Sequence, residues 1–341
     1  MSRGCAWGWV GLMLAGWTCA LVVQAAAGES ARTVEGFDKE SRAVVQSVSA
    51  GNGAADRRGE GDSGGAVEPS EGKHGMTTTQ DIREYLLSHS PWVDRERTVD
   101  TVKLGDSTRP IRKAGVCWFA SIETIRAAQD AGCDLLVCHE PTFWDHAPAE
   151  AAWRDKEPGL SKRKLIEGTG MVVLRAHDTW DQWPGIGIRD SWATWLGLEK
   201  RVYASEGHNL YAVYEVPEQT LREFARYVAA KVRPLGEDSV QVLGDPNRKV
   251  RRPAVGVGCI GPDQPAVEHG ADVLIVCYDG APYWAVRERL CEFGAAVITL
   301  EHGTTEMPGL ENLCKHLAER FPDVEFQYFA QHPRPWTVRP E

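Results

Sequence analysis

From Met76 onward, short runs of β-branched and other apolar residues alternate with segments whose apolar positions recur every three or four residues. The runs have the character of buried strands, and the recurrent segments that of helices with one face turned inward. Ile82, Tyr85 and Leu86 mark the inner face of a first helix, which Pro91 ends. The run Ala114–Phe119 predicts a strand, followed by a helix that Ser121 caps and that turns Ile122, Ile125 and Ala128 inward. Asp134–Cys138 predicts the next strand, Ser161–Glu167 a charged helix, Met171–Ala176 a strand and Ser191–Leu198 a helix. Further on, Leu210–Val216 predicts a strand and Pro217–Val232 a helix with Pro217 in its first turn. Val255–Cys259, Asp272–Cys277, Ala295–Leu300 and Val324–Phe329 predict strands, with helices over Tyr283–Phe293 and Gly309–Phe321. This alternation predicts an α/β fold of largely parallel sheets, built as two similar βα-layered halves at roughly 76–205 and 206–341.

The pattern breaks before Met76. Arg3, an apolar run from Ala6 to Val23 and the closing Ala25-Ala26-Ala27 have the layout of a secretory signal peptide over residues 1–28. Gly8, Gly11, Gly16 and Thr18 interrupt the run, so no stable membrane anchor is expected. Residues 29–75, rich in Gly, Ser, Ala and Glu, show no apolar period and read as a disordered linker ahead of a domain at 76–341. Two locations follow: export if the leader is real, the cytoplasm if translation starts at Met76. The cysteines favour the second. Seven lie beyond the leader, an odd number without a Cys-x-x-Cys pair, which signals neither a disulfide framework nor a zinc knuckle. Cys117, Cys138, Cys259 and Cys277 fall in or at the ends of apolar runs, where free cysteine acts as a small buried hydrophobe. A net charge of −10 lacks the basic footprint of a protein that tracks phosphate backbones, so nucleic acid is not an expected partner.

Open α/β sheets bind ligands just past the carboxyl ends of their strands. Three predicted strands run straight into metal-type side chains: Leu135-Leu136-Val137-Cys138 into His139 and Glu140, Val172-Val173-Leu174-Arg175-Ala176 into His177, Asp178 and Asp181, and Val297-Ile298-Thr299-Leu300-Glu301 into His302 and Glu306. Imidazole and carboxylate together suit divalent zinc, manganese or iron. Spacing alone decides little: ten histidines and 48 acidic residues in 341 give about 1.4 chance pairs of His with an acid four residues on, against three present, at His146, His177 and His302. Placement after three separate strands is the stronger observation.

The segments Val137-Cys138-His139-Glu140-Pro141-Thr142-Phe143-Trp144, His177-Asp178-Thr179-Trp180-Asp181 and His302-Gly303-Thr304-Thr305-Glu306 resemble the three metal motifs of the Nif-three-like dinuclear metal centre proteins, also called GTP cyclohydrolase I type 2 homologues. The resemblance runs from about Thr78 to Arg334. It implies two divalent metal ions, held by His139, Asp181, His302 and Glu306, with the site between the two halves at strand ends. One position departs: Glu140 stands where the usual pattern has a second histidine, either as an oxygen ligand or as a solvated turn carboxylate. His177 is expected beside the ions as a catalytic proton shuttle, or else tied to the loop backbone.

Other residues remain open. His146 is a further ligand or a surface histidine, and Trp144, Trp180 and Trp183 are a stacking wall for a flat substrate, pocket walls or subunit contacts. Gly256-x-Gly258 and Gly261 lack the full dinucleotide fingerprint and read as loop packing. The resemblance further implies a metal-dependent hydrolase of an unidentified small, nucleotide-like substrate, or alternatively a non-catalytic metal-binding scaffold, and in either case a homohexamer.

Overall fold

The computed structural model describes residues 76–146, 149–205, 210–259, 261–333 and 335–338, so the leader and linker expected over 1–75 lie outside the described residues. The chain opens with α1 (Thr79–Ser88), whose start is set by a reciprocal capping box between Thr78 and Asp81. There follow β1 (Val102–Leu104), β2 (Lys113–Cys117), α2 (Ile122–Asp130), β3 (Leu135–Cys138), α3 (Ala149–Arg154), α4 (Gly159–Thr169), β4 (Val172–Arg175), α5 (Asp178–Asp181) and α6 (Ile188–Trp195). Next come β5 (Lys200–Ala204), β6 (Ala212–Glu215), β7 (Gln219–Thr220), α7 (Leu221–Val232), β8 (Gln241–Leu243), β9 (Lys249–Val250), β10 (Pro253–Val255), α8 (Gln264–Glu268), β11 (Val273–Cys277), α9 (Arg289–Glu292), β12 (Ala296–Leu300), α10 (His302–Arg320) and β13 (Glu325–Phe329).

The first sheet has the order β1-β4-β3-β2-β13, parallel except for β1 at its edge. Its central strands are buried at every position, as strands covered on both faces must be. Alternate residues serve alternate faces. Leu135, Val137 and Leu174 meet Ile82 and Leu86 of α1 and Leu310, Leu313 and Leu317 of α10. Leu136, Cys138 and Val173 meet Ile125 and Ala128 of α2 and Ile166 of α4. The second sheet, β5-β6-β10-β11-β12-β8, is mixed: only β10, β11 and β12 run parallel. Its faces are covered by Leu221, Phe224 and Val228 of α7 on one side, and by Ala266 of α8 and Leu290 of α9 on the other. The two sheets do not divide the chain consecutively, because β13 returns to pair with β2.

Several predicted boundaries move. The second sheet is not largely parallel, since β5, β6 and β8 pair antiparallel. The helix expected from Pro217 starts at Leu221: Thr220 caps it in a box with Glu223, a stronger start signal than proline, and Gln219–Thr220 pair with β9 instead. The strand expected over Val255–Cys259 ends at Val255, because Gly258 turns into a positive φ of 42°. The segment Tyr283–Phe293 is wound wide at first, with Arg287 N–H reaching Pro282 O, before α9 forms.

The last helix begins at His302 rather than Gly309. Pro308 lies inside it and removes one backbone bond, yet residues 303–310 are all buried, and that packing outweighs the loss. Gly309 allows α6 to approach so closely that a Cβ would sit 2.8 Å from Ile188 Cα. Among the described residues, no helix is long and apolar enough to cross a membrane.

Candidate metal centre

His139 follows β3 directly and is fully buried. Its Nδ1 lies 2.9 Å from Ala176 O. A carbonyl only accepts, so Nδ1 carries the hydrogen and Nε2 of the neutral ring is left with a lone pair. That Nε2 faces Asp181 Oδ1 at 3.3 Å and Glu306 Oε2 at 3.6 Å. Among the described residues neither His139 Nε2 nor Asp181 Oδ1 has a hydrogen-bond partner, although both are buried.

Glu306 reaches two histidines, since its other oxygen lies 2.9 Å from His302 Nε2, one helical turn back along α10. Trp118 Nε1 donates to Glu306 Oε2 at 2.7 Å. Glu140 Oε1 lies 3.4 Å from His302 Nε2 and 3.9 Å from His177 Nε2. The structure therefore brings His139, Glu140, Asp181, His177, His302 and Glu306 to one place, from the ends of β3, β4 and β12.

The electrostatics are those of closely packed imidazoles and carboxylates. Burial alone would lower the His139 imidazole, but the Glu306 carboxylate, with Asp181, outweighs it and raises the group well above its usual value. Glu306 is held well below the carboxylate range: burial pushes it up, and His302 and His139 more than reverse that. Without a metal these groups compete for protons, and a divalent ion would replace the protons in the same positions. Two sets of ligand atoms lie close enough to share an ion: His139, His177 and Asp181, and His139, Glu140 and Glu306. Buried imidazole nitrogens and carboxylate oxygens without partners fit divalent cations.

His177 lies beside this cluster, its ring stacked on His139 with centroids 4.5 Å apart. Its Nδ1 is 3.0 Å from Asp178 Oδ1, and Asp178 is in turn fixed by Thr98 Oγ1 and Val99 N–H. Burial would raise Asp178, but the hydrogen bonds from His177 and Thr98 hold it below the carboxylate range. The ring thus keeps Nδ1–H on Asp178 and turns Nε2 towards the cavity.

That cavity, about 550 Å³, is lined by Trp118, Trp144, His146, Cys259 and Asp279 as well as Glu140, His177, Asp181, His302 and Glu306, with His139 buried beneath it. Of the three tryptophans singled out in the sequence, only Trp144 lines it; Trp180 is fully buried and packs at a tilt against Trp183 in the core. Trp144 has a positive φ of 62°, a strained backbone for an aromatic residue and one common at functional sites. Cys259, expected buried, is exposed at the cavity, because its strand ends before it.

Sequence reasoning missed four groups. Asp279, two residues beyond β11, binds His302 Nδ1 at 2.8 Å, and that bond takes it down to about 2. With Cys277 and His302 it forms a third possible metal group. The strand-end rule would have found it. Asp100, Arg175 and Gly258 carry no local signal. Asp100 accepts from His177 N, Asp178 N, Thr179 N and Thr179 Oγ1, and so fixes the turn that bears the second motif.

The profile of the Duf34/NIF3 family (NGG1p interacting factor 3) matches residues 77–335. The chain belongs to that family. Among its Duf34/NIF3 relatives, the GTP cyclohydrolase 1 type 2 homolog of Clostridium perfringens is 25% identical over 234 residues, covering 65% of this chain and 84% of that protein. The homolog of Chlamydia pneumoniae is 22% identical over 251 residues, covering 70% and 93%. Solved structures of the same Duf34/NIF3 fold include a Bacillus cereus protein related to NIF3, with a TM-score of 0.64 and 16% identity over 77% of this chain and 99% of that one. A hypothetical protein of Staphylococcus aureus gives 0.63 and 18% over 78% and 100%.

Behind Trp144 lies a buried amine that this Duf34/NIF3 chain keeps out of water. Lys162 donates to Thr142 O, and its Nζ is 4.8 Å from the centre of the Trp144 ring. Burial pulls it from 10.5 down to about 8. The folded state thus resists its protonation, and stability is lost as the pH falls through 8 and gained as it rises towards 10.5. The difference amounts to about 3 kcal/mol. Denaturant unfolding between pH 7.5 and 10 is expected to show the wild type gaining stability relative to Lys162→Met; parallel profiles would contradict this.

Proposed function

We propose that this chain holds two divalent metal ions through His139, Glu140, Asp181, His302 and Glu306, at the strand ends between the two sheets, and uses them as a metal-dependent hydrolase. The observation that supports this most directly is the pair of buried, partnerless atoms, His139 Nε2 and Asp181 Oδ1, facing each other at 3.3 Å beneath an open cavity. A purely structural site would be closed over by protein groups, whereas a catalytic one keeps access for substrate. Glu306 lies against both His139 and His302, and Asp181 against His139, so these carboxylates would hold the ions together with the two histidines.

The ions, when bound, supply Lewis acidity: they acidify water and polarise an oxygen of the substrate. The chain does the rest. His177, oriented by Asp178 through Nδ1, would take a proton from the attacking water at Nε2 and give it to the leaving group as the bond to that group breaks. Trp118 fixes Glu306, and Asp279 fixes His302, so that neither ligand swings as charge develops. Trp144, nearly half exposed at the cavity rim, offers a flat face to a planar substrate. A nucleotide base fits that face, and the name borne by the Clostridium perfringens relative points the same way.

Elemental analysis of the purified protein is expected to return about two metal ions per chain, and close to none for the double variant Asp181→Ala/Glu306→Ala. A metal-free wild type, or a double variant that kept both ions, would overturn the ligand assignment. A panel of nucleotides, phosphodiesters and cyclic amides assayed with manganese or zinc tests the activity. Turnover undiminished in His302→Ala would place the chemistry elsewhere.

A further inference from the structure

Glu140 and Arg175 stand side by side at the ends of neighbouring strands, where Cys138 pairs with Arg175. Arg175 is wholly buried, an unusual place for a guanidinium without a firm partner. Its Nε donates to His139 O at 2.8 Å, and its Nη1 lies 3.4 Å from His146 Nδ1. The remaining nitrogen, Nη2, makes no hydrogen bond among the described residues and lies 3.8 Å from Glu140 Oε2. The other oxygen of Glu140 faces His302 and His177. Glu140 is therefore shared between a fixed positive charge behind it and the cluster in front.

We propose that Arg175 is the charge-compensating partner of Glu140 and sets the cation affinity of the centre, an inference that rests on the metal-binding reading above. The donor set contains three carboxylates, Glu140, Asp181 and Glu306, beside neutral histidines. A buried guanidinium next to one of them leaves the set with a net of two negative charges, the sum it would have with a neutral ligand at position 140 and no guanidinium behind it. Glu140 can thus serve as an oxygen ligand without over-binding the ions or leaving an unneutralised carboxylate in the core when they depart.

Arg175 is a positioning and charge-tuning residue, and its effect is read in metal binding. Zinc affinity, measured by competition with a chromophoric chelator, separates the alternatives in four proteins: wild type, Glu140→Gln, Arg175→Gln and the double variant. Charge compensation predicts that Arg175→Gln binds zinc about tenfold more tightly than wild type and that Glu140→Gln binds it at least about tenfold more weakly. The double variant is expected to recover about tenfold of what Glu140→Gln loses. Should Arg175→Gln fail to fold, Glu140→Gln against the double variant still decides, with Arg175→Lys expected to bind as wild type.

A double variant no better than Glu140→Gln would overturn the proposal, as would a folded Arg175→Gln that binds like wild type or more weakly. These outcomes leave the metal reading intact. A wild type that takes up no zinc overturns that reading, and this inference with it.

Discussion

Alanine at position 258 is expected to leave the fold in place and to abolish binding of at least one ion. Gly258 follows β10 with a φ of 42°, and a Cβ there would lie 2.2 Å from both Glu306 Oε1 and His302 Nε2. Those are two of the atoms at which α10 meets the cluster, beside Glu306 Oε2 at His139. The intruding carbon is fixed to the backbone, so either the side-chain ends of His302 and Glu306 swing away from it or the loop moves, and the ligand pair opens in both cases. The backbone cost of a side chain in the left-handed region is about 1–2 kcal/mol, small beside the loss at the site. Metal affinity is therefore expected to fall about a hundredfold or more while the circular-dichroism spectrum stays native and the melting point drops by a few degrees. Unchanged stoichiometry and affinity in Gly258→Ala would show that the loop does not press on the centre.

Removing Asp100 is expected to be the single change away from the ligands themselves that costs the fold most. Its buried carboxylate receives four hydrogen bonds, at 2.7 Å from His177 N, 3.0 Å from Asp178 N, 2.9 Å from Thr179 N and 2.6 Å from Thr179 Oγ1. Alanine leaves these donors without a partner, three of them the free N–H groups that open α5. The expected loss is about 3–5 kcal/mol, or a melting point lower by about 10 °C. Because the same turn carries His177 and Asp181, metal affinity should fall at least about tenfold as well. Asp100→Asn separates the contributions: its oxygen still serves two donors, but its amide opposes Thr179, so an intermediate loss is expected. An Asp100→Ala protein that melts and binds metal like wild type would refute this account of the turn.

Much of this organisation is legible in short stretches of chain. Leu135–Cys138 and Val172–Arg175 are apolar enough to predict strands buried on both faces, and each runs into histidine and acid where an open sheet binds ligands. The errors arise where a local signal is overruled. Pro217 looked like a helix start, but the Thr220–Glu223 box satisfies more backbone donors. The helix expected from Gly309 starts a full two turns earlier, because burial of residues 303–310 carries α10 through Pro308 and brings Glu306 one turn from His302. Trp180 and Trp183 sit beside the second motif in sequence yet point into the core, where Trp180 donates to Gly309 O.

By itself, the sequence determined the α/β alternation, the family resemblance, and the residues that gather at the strand ends, because each depends on contacts within a few positions or on motifs intact in one stretch. Only the tertiary structure decided how the cluster is held and charged. Asp100 reaches His177, Arg175 backs Glu140, Trp118 reaches Glu306, and Gly258 makes room for His302. These partners are brought together by strand order and helix packing, and a carboxylate, a guanidinium or a glycine carries no mark in the sequence of the buried group it will face.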